Sequence, residues 1–416
     1  MAKTLYLCYF GLREPLVQTQ VLPYLREIMR SEPPIEVSLL TFEPGGVSDM
    51  EAARIKAELA AEGIEWNWLK YHKRFSVLAT AYDIFRGTLF IWNKLRKDRI
   101  DVLHGRVHIP TLMGALARKL SRRKPKLLFD IRGFFPEEYT DAGRWPEIGW
   151  LFRIAKRVEK WLLSEADGFV VLTEKARDVL FPGSRENGHD ASGRPVEVIP
   201  CCVDFDGRFS AFHSSARGEY RRELGIDDRF VIVHLGALGG LYLTNEIVKL
   251  VSAERGRNQN AYLLLLTQSD PSEATGLLDE HDFQCTDYLI KKVAPKDVPM
   301  YLVASDVAIS FVKSSFSTLS RSPTKIPEYL ACGLPVICNA GVGDVDLLVN
   351  KYKVGAIIDE FSEQSYLRAI DLTNELKKEA RFEEHSREVS LTEFDLVAVG
   401  GKRYRRLYQR IMGGIK

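Results

Sequence analysis

SPTKIPEYLACGLPVI, residues Ser322 to Ile337, reads as a loop, a two-turn helix with proline in its first turn, a glycine stop and a buried strand. Proline has no N–H, so Pro327 sits without loss only in a helix's first turn. Thr324 is then the N-cap, and that turn holds Lys325, Ile326 and Pro327, followed at once by Glu328. Free backbone N–H groups, the positive end of the helix dipole and the Lys325 ammonium converge on one point, which suits a phosphate or diphosphate. Ser322 and Thr324 lie in the loop that faces it. Glu328, about one turn from Lys325, can accept hydrogen bonds from a vicinal diol such as ribose. Gly333 and Pro335 stop the helix, and PVICNA returns to the sheet. Phosphate plus ribose means a nucleotide.

The strand that ends this stretch is one of many. Short apolar, β-branched runs alternate with amphipathic segments along the whole chain. In the first half, strands are expected at Thr4–Phe10, Ile35–Phe42, Ile64–Tyr71, Asp101–Arg106, Lys126–Arg132, Gly168–Thr173 and Val196–Pro200. The second half repeats the scheme at Phe230–Leu235, Ala261–Thr267, Tyr288–Val293, Asp306–Val312, Pro335–Asn339 and Val354–Ile358. The clearest helix is Ile148–Ala166, with Leu151, Ala155, Val158 and Leu162 on one face. Strands buried on both sides and linked by helices imply α/β, doubly wound parallel sheets. The polar segment CCVDFDGRFSAFHSSARGEYRRELGI breaks the chain near Asp204. The expected domains are therefore 1–203 and 204–393, both Rossmann-like, facing across a cleft at the carboxyl ends of their strands. A closing helix, Phe394 to Met412 within the tail 394–416, has no following strand and is free to pack back on the first domain.

Composition fits this division. A chain of 416 residues is too long for one ordinary core. Its 45% hydrophobic and 27% charged residues are those of a soluble globular protein. A net charge of +2 gives no global pull toward nucleic acid. The six cysteines show no paired metal spacing and suit a reducing cytoplasm. The chain enters a strand at once, without a signal pattern, and holds no apolar run long enough to span a bilayer. A cytoplasmic place is expected, with contact at a membrane surface left open.

Five further segments fall at expected strand ends. GALGGLY, Gly236 to Tyr242, is a glycine loop between strand and helix, where Gly239 and Gly240 let backbone approach a diphosphate; the plain alternative is a tight turn. Its spacing is not that of a dinucleotide fingerprint, which disfavours a nicotinamide cofactor. FVKSSFSTLS places Lys313 at the cleft, as a ligand or as a solvated loop charge. FGLREPLVQTQVLPYL offers Gly11 for an unusual backbone turn, with Gln18 to Gln20 at the start of the next helix. DVLHGRVHIP brings His104, Arg106 and His108 to one edge, where an arginine can neutralise a leaving diphosphate or grip an anionic acceptor. FDIRGFFPEE ends a neighbouring strand with Asp130 and Arg132, followed by Phe134 and Phe135. Two basic clusters, Arg118–Lys126 and Gly401–Arg410, are either solvated faces or contacts with anionic lipid.

Taken together, SPTKIPEYLACGLPVICNAGVGD, DVPMYLVASDVAISF, EPLVQTQVLPYL, FDIRGFFPEE and VIPCCVD resemble the retaining glycosyltransferases of the GT-B fold, family 4, over essentially the whole chain. The resemblance implies a nucleotide sugar on the C-terminal domain and an acceptor on the N-terminal one, with Gly11, His108 and Arg132 on the acceptor side. Glu328 matches the second glutamate of the family's E-x7-E element, expected on the ribose. Lys325 and the Gly239–Gly240 loop would meet the diphosphate, and Leu289 to Val293 would flank the base. Arg106 falls where many members carry a histidine beside the transferred sugar. The chain departs from the pattern at Ser320, which replaces the first glutamate, at Arg106, and in GALGGLY, which lacks a following basic residue.

The expected activity is transfer of a hexose from a UDP- or GDP-sugar to a hydroxyl of a carbohydrate or lipid-linked acceptor. Retention is implied by the resemblance, and polysaccharide or glycoconjugate assembly is the expected setting. Lys325, Glu328 and Arg106 are the expected catalytic residues. No cofactor is expected, and no D-x-D pair is placed to hold a divalent metal. A GT-B-fold nucleotide-sugar epimerase and a catalytically silent nucleotide-sugar-binding subunit are the alternatives.

Overall fold

A computed structural model describes residues 2–72, 76–210 and 216–413. The chain divides into two units, Met1–Pro200 with Gly400–Lys416, and Cys201–Val399. The first is built on β1 (Ala2–Leu7), β2 (Ile35–Glu43), β3 (Ile64–Lys70), β4 (Val102–Arg106), β5 (Lys126–Asp130), β6 (Gly168–Val171) and β7 (Val196–Val198). These strands pair in parallel in the order β3-β2-β1-β4-β5-β6-β7. The second unit holds β8 (Phe230–Leu235), β9 (Ala261–Leu266), β10 (Tyr288–Lys291), β11 (Val307–Ser310), β12 (Val336–Asn339) and β13 (Gly355–Ile358). Their order is β10-β9-β8-β11-β12-β13, again all parallel. Both units are doubly wound.

Apolar content explains the strands. In the second unit, Val231 and Val233 face one apolar cluster with Leu264, Leu266 and Val336. Ile232, between them, faces the other with Leu263, Leu265 and Ile337. Each sheet face is covered, so the strands carry continuous rather than alternating apolar runs. Several strands end earlier than the runs suggest. The ladder stops at Asp130 in β5 and at Ser310 in β11, which leaves Arg132 and Lys313 on strand-end loops. Strand order reverses between β1 and β4 and again between β8 and β11. In open parallel sheets, ligands bind outside the carboxyl ends at such points.

Three local expectations change. The helix after β1 covers Pro15–Gln20, so Gln18 to Gln20 lie at its end rather than its start. The helix after β4 begins at His108, two residues before Pro110. The closing helix begins at Leu396, after Asp395 has left helical geometry, and its first part, Leu396–Gly401, is a wide π-helix that runs into Lys402–Met412. Glycine is required at that joint, because a Cβ on Gly401 would stand 2.6 Å from Glu27 Oε2.

The last helix belongs to the first unit. It buries Tyr404, Leu407, Tyr408 and Ile411 there. Arg405 pairs with Glu27, while Arg406 and Arg410 pair with Glu197. Arg403 donates to the Val198 carbonyl. Most of the basic cluster Gly401–Arg410 is thus engaged within its own unit, while Lys402 stays exposed. Among the described residues, no helix is long and apolar enough to cross a membrane.

Candidate functional site

The helix Lys325–Ala331 connects β11 to β12 and sits beside the reversal of strand order between β8 and β11. Its position is pinned by Tyr329, whose hydroxyl accepts from Leu235 N at 2.7 Å and donates to Ile309 O at 3.2 Å. Thr324 occupies the N-cap in helical geometry, so its hydroxyl makes no capping bond. Every residue of the helix is buried. Lys325 is 4% exposed, and its Nζ has no hydrogen-bond partner. The ammonium position lies 4.6 Å over the Tyr242 ring and 3.0 Å from where a Cβ on Gly236 would stand. The glycine loop therefore makes the room that Lys325 occupies. Burial brings its pKa down to about 7; Cys338 and Glu328 oppose the shift, and Arg321 adds to it.

The loops around this lysine are tied together. Tyr242 bridges to Val312, and Lys313 N donates to Leu241 O at 2.7 Å, leaving the Lys313 side chain exposed on the β11 loop. Gly239 and Gly240 adopt positive φ, +67° and +63°. The N–H of Gly239, expected to face a diphosphate, instead donates to Thr244 Oγ1 at 2.9 Å. Ser322 accepts from Cys201 N at 3.1 Å and so anchors the segment that enters this unit. Ser320, in the place of the first glutamate, is buried and donates to Ser317 O at 2.7 Å. Val293 lends its carbonyl to Gln268 Nε2 at 3.0 Å and lines a cavity of about 580 Å³ with Arg208 and Lys291.

Glu328 is also buried, and Arg208 Nη1 donates to its Oε1 at 3.0 Å. Burial raises the carboxyl's pKa, and Arg208 works against the rise. A second Arg208 bond, from Nε to Pro295 O at 3.0 Å, fixes the guanidinium. Two residues here escape a sequence reading. Arg208 lies in the segment that reads as a polar linker, and nothing in its neighbours marks it. His234 closes an apolar strand beside the glycine loop, which was a usable signal. Its ring nitrogens lie 3.3 Å from Ile309 O and from Ala237 O. Burial, then Lys325, holds its pKa well below the usual imidazole range.

In the first unit, a cavity of about 910 Å³ opens where the order reverses between β1 and β4. Gly11, His108 and Arg132 all line it, with Tyr71, Tyr139 and Trp145 among the aromatic walls. A Cβ on Gly11 would stand 2.7 Å from Pro44 Cδ, so glycine alone fits that close approach. His108 Nε2 donates to Glu159 Oε2 at 3.1 Å, and the ring stacks on Phe135 with centroids 5.3 Å apart. The other nitrogen, Nδ1, has no partner. Tyr139 and Trp145 lie 4.4 Å apart and form an aromatic platform of the kind that takes the C–H face of a sugar. Val107, also in the lining, holds φ +61°, a strained conformation for a β-branched residue.

Arg106 is placed differently from the expectation. It is 3% exposed, is not among the lining residues, and donates to Gln20 O at 3.4 Å. The cause is its parallel register partner, Asp130 on β5, whose carboxylate lies 3.8 Å away. His104, Arg132 and Tyr404 converge on the same carboxylate, at 3.5, 3.0 and 2.9 Å. Burial opposes its ionisation, yet Arg132, His104 and Arg106 hold Asp130 far below the usual carboxylate range. Arg106 is thus a buried cation held by Asp130 and Gln20. Among the described residues, no group of three or more His, Cys, Asp or Glu is gathered to hold a metal ion.

Residues 18–202 match the model of the glycosyl transferase 4-like domain. Solved structures share the fold over the whole chain. HepE (Alr3699) of Anabaena, solved with UDP, superposes with a TM-score of 0.69 at 14% identity, covering 98% of this chain and 100% of its own. A glycosyltransferase from Rickettsia africae gives 0.71 at 15% identity, with 99% of both chains covered. Sucrose-phosphate synthase from Thermosynechococcus elongatus gives 0.71 at 16%, with 99% and 100% covered. No curated protein is significantly similar in sequence. The chain has the GT-B fold, and the match to the glycosyl transferase 4-like domain falls almost wholly on its first unit.

Proposed function

We propose that the protein is a retaining glycosyltransferase that moves a hexose from a UDP- or GDP-sugar to a hydroxyl of a carbohydrate or lipid-linked acceptor. The observation that carries this reading is the buried, unpartnered Lys325 Nζ against the glycine loop. A cation without a partner, at a strand-order reversal, is a site prepared for an anion. The cavity containing Gly11, His108 and Arg132 supports an acceptor sugar in the first unit. HepE has been solved with UDP-glucose, and WaaG, of like fold, acts in lipopolysaccharide biosynthesis. Both support a nucleotide-sugar donor and a role in polysaccharide or glycoconjugate assembly. The cysteines are free, five of them buried, which fits a cytoplasmic place.

In this mechanism, charge builds on the leaving diphosphate as the glycosidic bond lengthens. Lys325, protonated as the anion arrives, stabilises that charge more than the ground state, with Lys313 beside it. The acceptor hydroxyl attacks from the leaving-group face, and a diphosphate oxygen takes its proton. Glu328 holds the ribose. No cofactor takes part, and the two lysines, rather than a metal ion, neutralise the diphosphate.

A thermal-shift panel of UDP-, GDP-, ADP- and TDP-sugars tests the donor, because only the folded form gains from binding. Release of free nucleotide on adding acceptor, with the product's anomeric configuration read by NMR, tests the reaction. An isomerised donor without transfer would refute it.

The lysine adds a pH signature. Its folded-state pKa of about 7 is below that of an unfolded chain, and diphosphate binding raises it again. Above pH 7, binding of free UDP, which carries the full charge of the leaving diphosphate, should therefore take up close to one proton, and its affinity should fall by up to about tenfold per pH unit. Below pH 7 the uptake fades. Calorimetry in buffers of unlike ionisation enthalpy measures it; no proton uptake at alkaline pH would exclude Lys325 from the anion site.

A further inference from the structure

The helix Ser76–Lys97 carries two apolar faces. One is buried: Ala79, Ile91 and Leu95 pack inward, and Gly87 comes so close to Met113 that a Cβ would stand 2.5 Å from its Sδ. The other is open. Leu78, Tyr82, Phe85 and Leu89 are 74, 48, 65 and 44% exposed. Their spacing of four, three and four residues aligns them in one stripe about 16 Å long. Isolated exposed apolar residues need no explanation, but an aligned stripe does.

Exposed cations fringe the stripe. Arg86 lies 5.9 Å over Tyr82, and Arg96 lies 4.9 Å over Trp92. At the same end, Lys97, Arg122 and Arg123 are exposed, the last donating to Asp98 O at 3.1 Å. The neighbouring carboxylates of Glu65 and Asp98 are already paired with Lys94. The fringe is therefore positive, although the whole chain is nearly neutral at +2. An apolar stripe with a basic border matches the acyl and headgroup levels of an anionic bilayer. A second copy of the chain fits it poorly, since a two-fold contact sets the same basic border against itself.

We infer that this helix docks the protein flat on an anionic membrane surface through Leu78, Phe85 and Leu89. Tyr82 continues the stripe to the cavity of the first unit: its ring packs at 5.1 Å against His72, which lines that cavity. Docking sets the cavity mouth at the headgroup level, where a sugar carried on a lipid anchor is the acceptor in reach. Only this choice of cargo rests on the transferase reading; the docking itself does not.

The test is co-sedimentation of the full chain with vesicles of phosphatidylcholine alone, or of equal parts phosphatidylcholine and phosphatidylglycerol. Binding is expected to the mixed vesicles only. It should fall about tenfold in a Leu78→Gln, Phe85→Gln, Leu89→Gln variant and in an Arg96→Gln, Lys97→Gln, Arg122→Gln variant. All six side chains are exposed, so circular dichroism and melting temperature should stay as in the parent. Equal binding by the apolar variant, no binding to either vesicle, or a dimer dissolved by that variant would each overturn the docking surface. UDP calorimetry on the same samples keeps the two readings apart. Nucleotide binding without vesicle binding removes only the docking face; vesicle binding without nucleotide binding removes only the donor site.

Discussion

Lys325→Met should lower turnover by about 10²–10³ while leaving the melting temperature unchanged or higher. The two halves of that expectation have one cause. The Nζ is buried without a partner, so in the free protein it adds nothing to stability and costs desolvation. Methionine fills nearly the same volume and removes the cost. In the transition state the balance reverses, because the leaving diphosphate supplies the missing partner. Donor affinity should fall much less than turnover, since the charge that Lys325 meets grows as the bond breaks. Equal losses in donor affinity and in kcat/KM, with kcat unchanged, would reduce Lys325 to an ordinary binding residue. Arginine should not restore the rate: the ammonium already lies 3.0 Å from the Cβ position of Gly236, and a guanidinium is larger.

The architecture was legible because both sheets are buried on both faces. A short, β-branched apolar run such as FVIVHL, bounded by turn signals, suits a buried parallel strand, and each such run became a parallel strand. The endings were less legible. Whether Arg132 belongs to β5 or to the loop beyond depends on where pairing with β6 stops, and that is a tertiary fact. The wide first part of the closing helix ends at Gly401, where a Cβ would meet Glu27, a residue far away in sequence.

The site shows the same division. Lys325 and GALGGLY could be paired in advance because strand-end loops on either side of an order reversal must be neighbours. Charge partners could not. Arg106 looked available because DVLHGRVHIP gives no hint of Asp130 alongside it, and only the β4–β5 register reveals the pair. Arg208 was missed for the converse reason. A cation in a polar, glycine- and serine-containing segment looks solvated until the fold carries it to a buried carboxylate. Basic clusters were equally ambiguous: Arg405, Arg406 and Arg410 of the last helix pair with Glu27 and Glu197, whereas Arg96 and Arg122 stay exposed.

The Arg208 contact sharpens the second large effect, on Glu328. Glu328→Ala should weaken UDP binding by about 30- to 100-fold, the worth of charge-assisted hydrogen bonds from a buried carboxylate to a diol. Loss of affinity alone is ambiguous, because Glu328 also holds Arg208, and Arg208 in turn fastens Pro295. Two comparisons separate the roles. If Glu328 only props Arg208 in place, Arg208→Ala must weaken UDP as much as Glu328→Ala does. If it grips the ribose, Arg208→Ala leaves most of the affinity intact. The ligand supplies the second comparison. Removing the 2′-hydroxyl should cost the parent protein about tenfold and cost the Glu328→Ala variant almost nothing, since the acceptor for that hydroxyl is already gone. The coupling between side chain and hydroxyl is the quantity to measure by calorimetry. A 2′-deoxy penalty of the same size in both proteins would place the ribose away from Glu328.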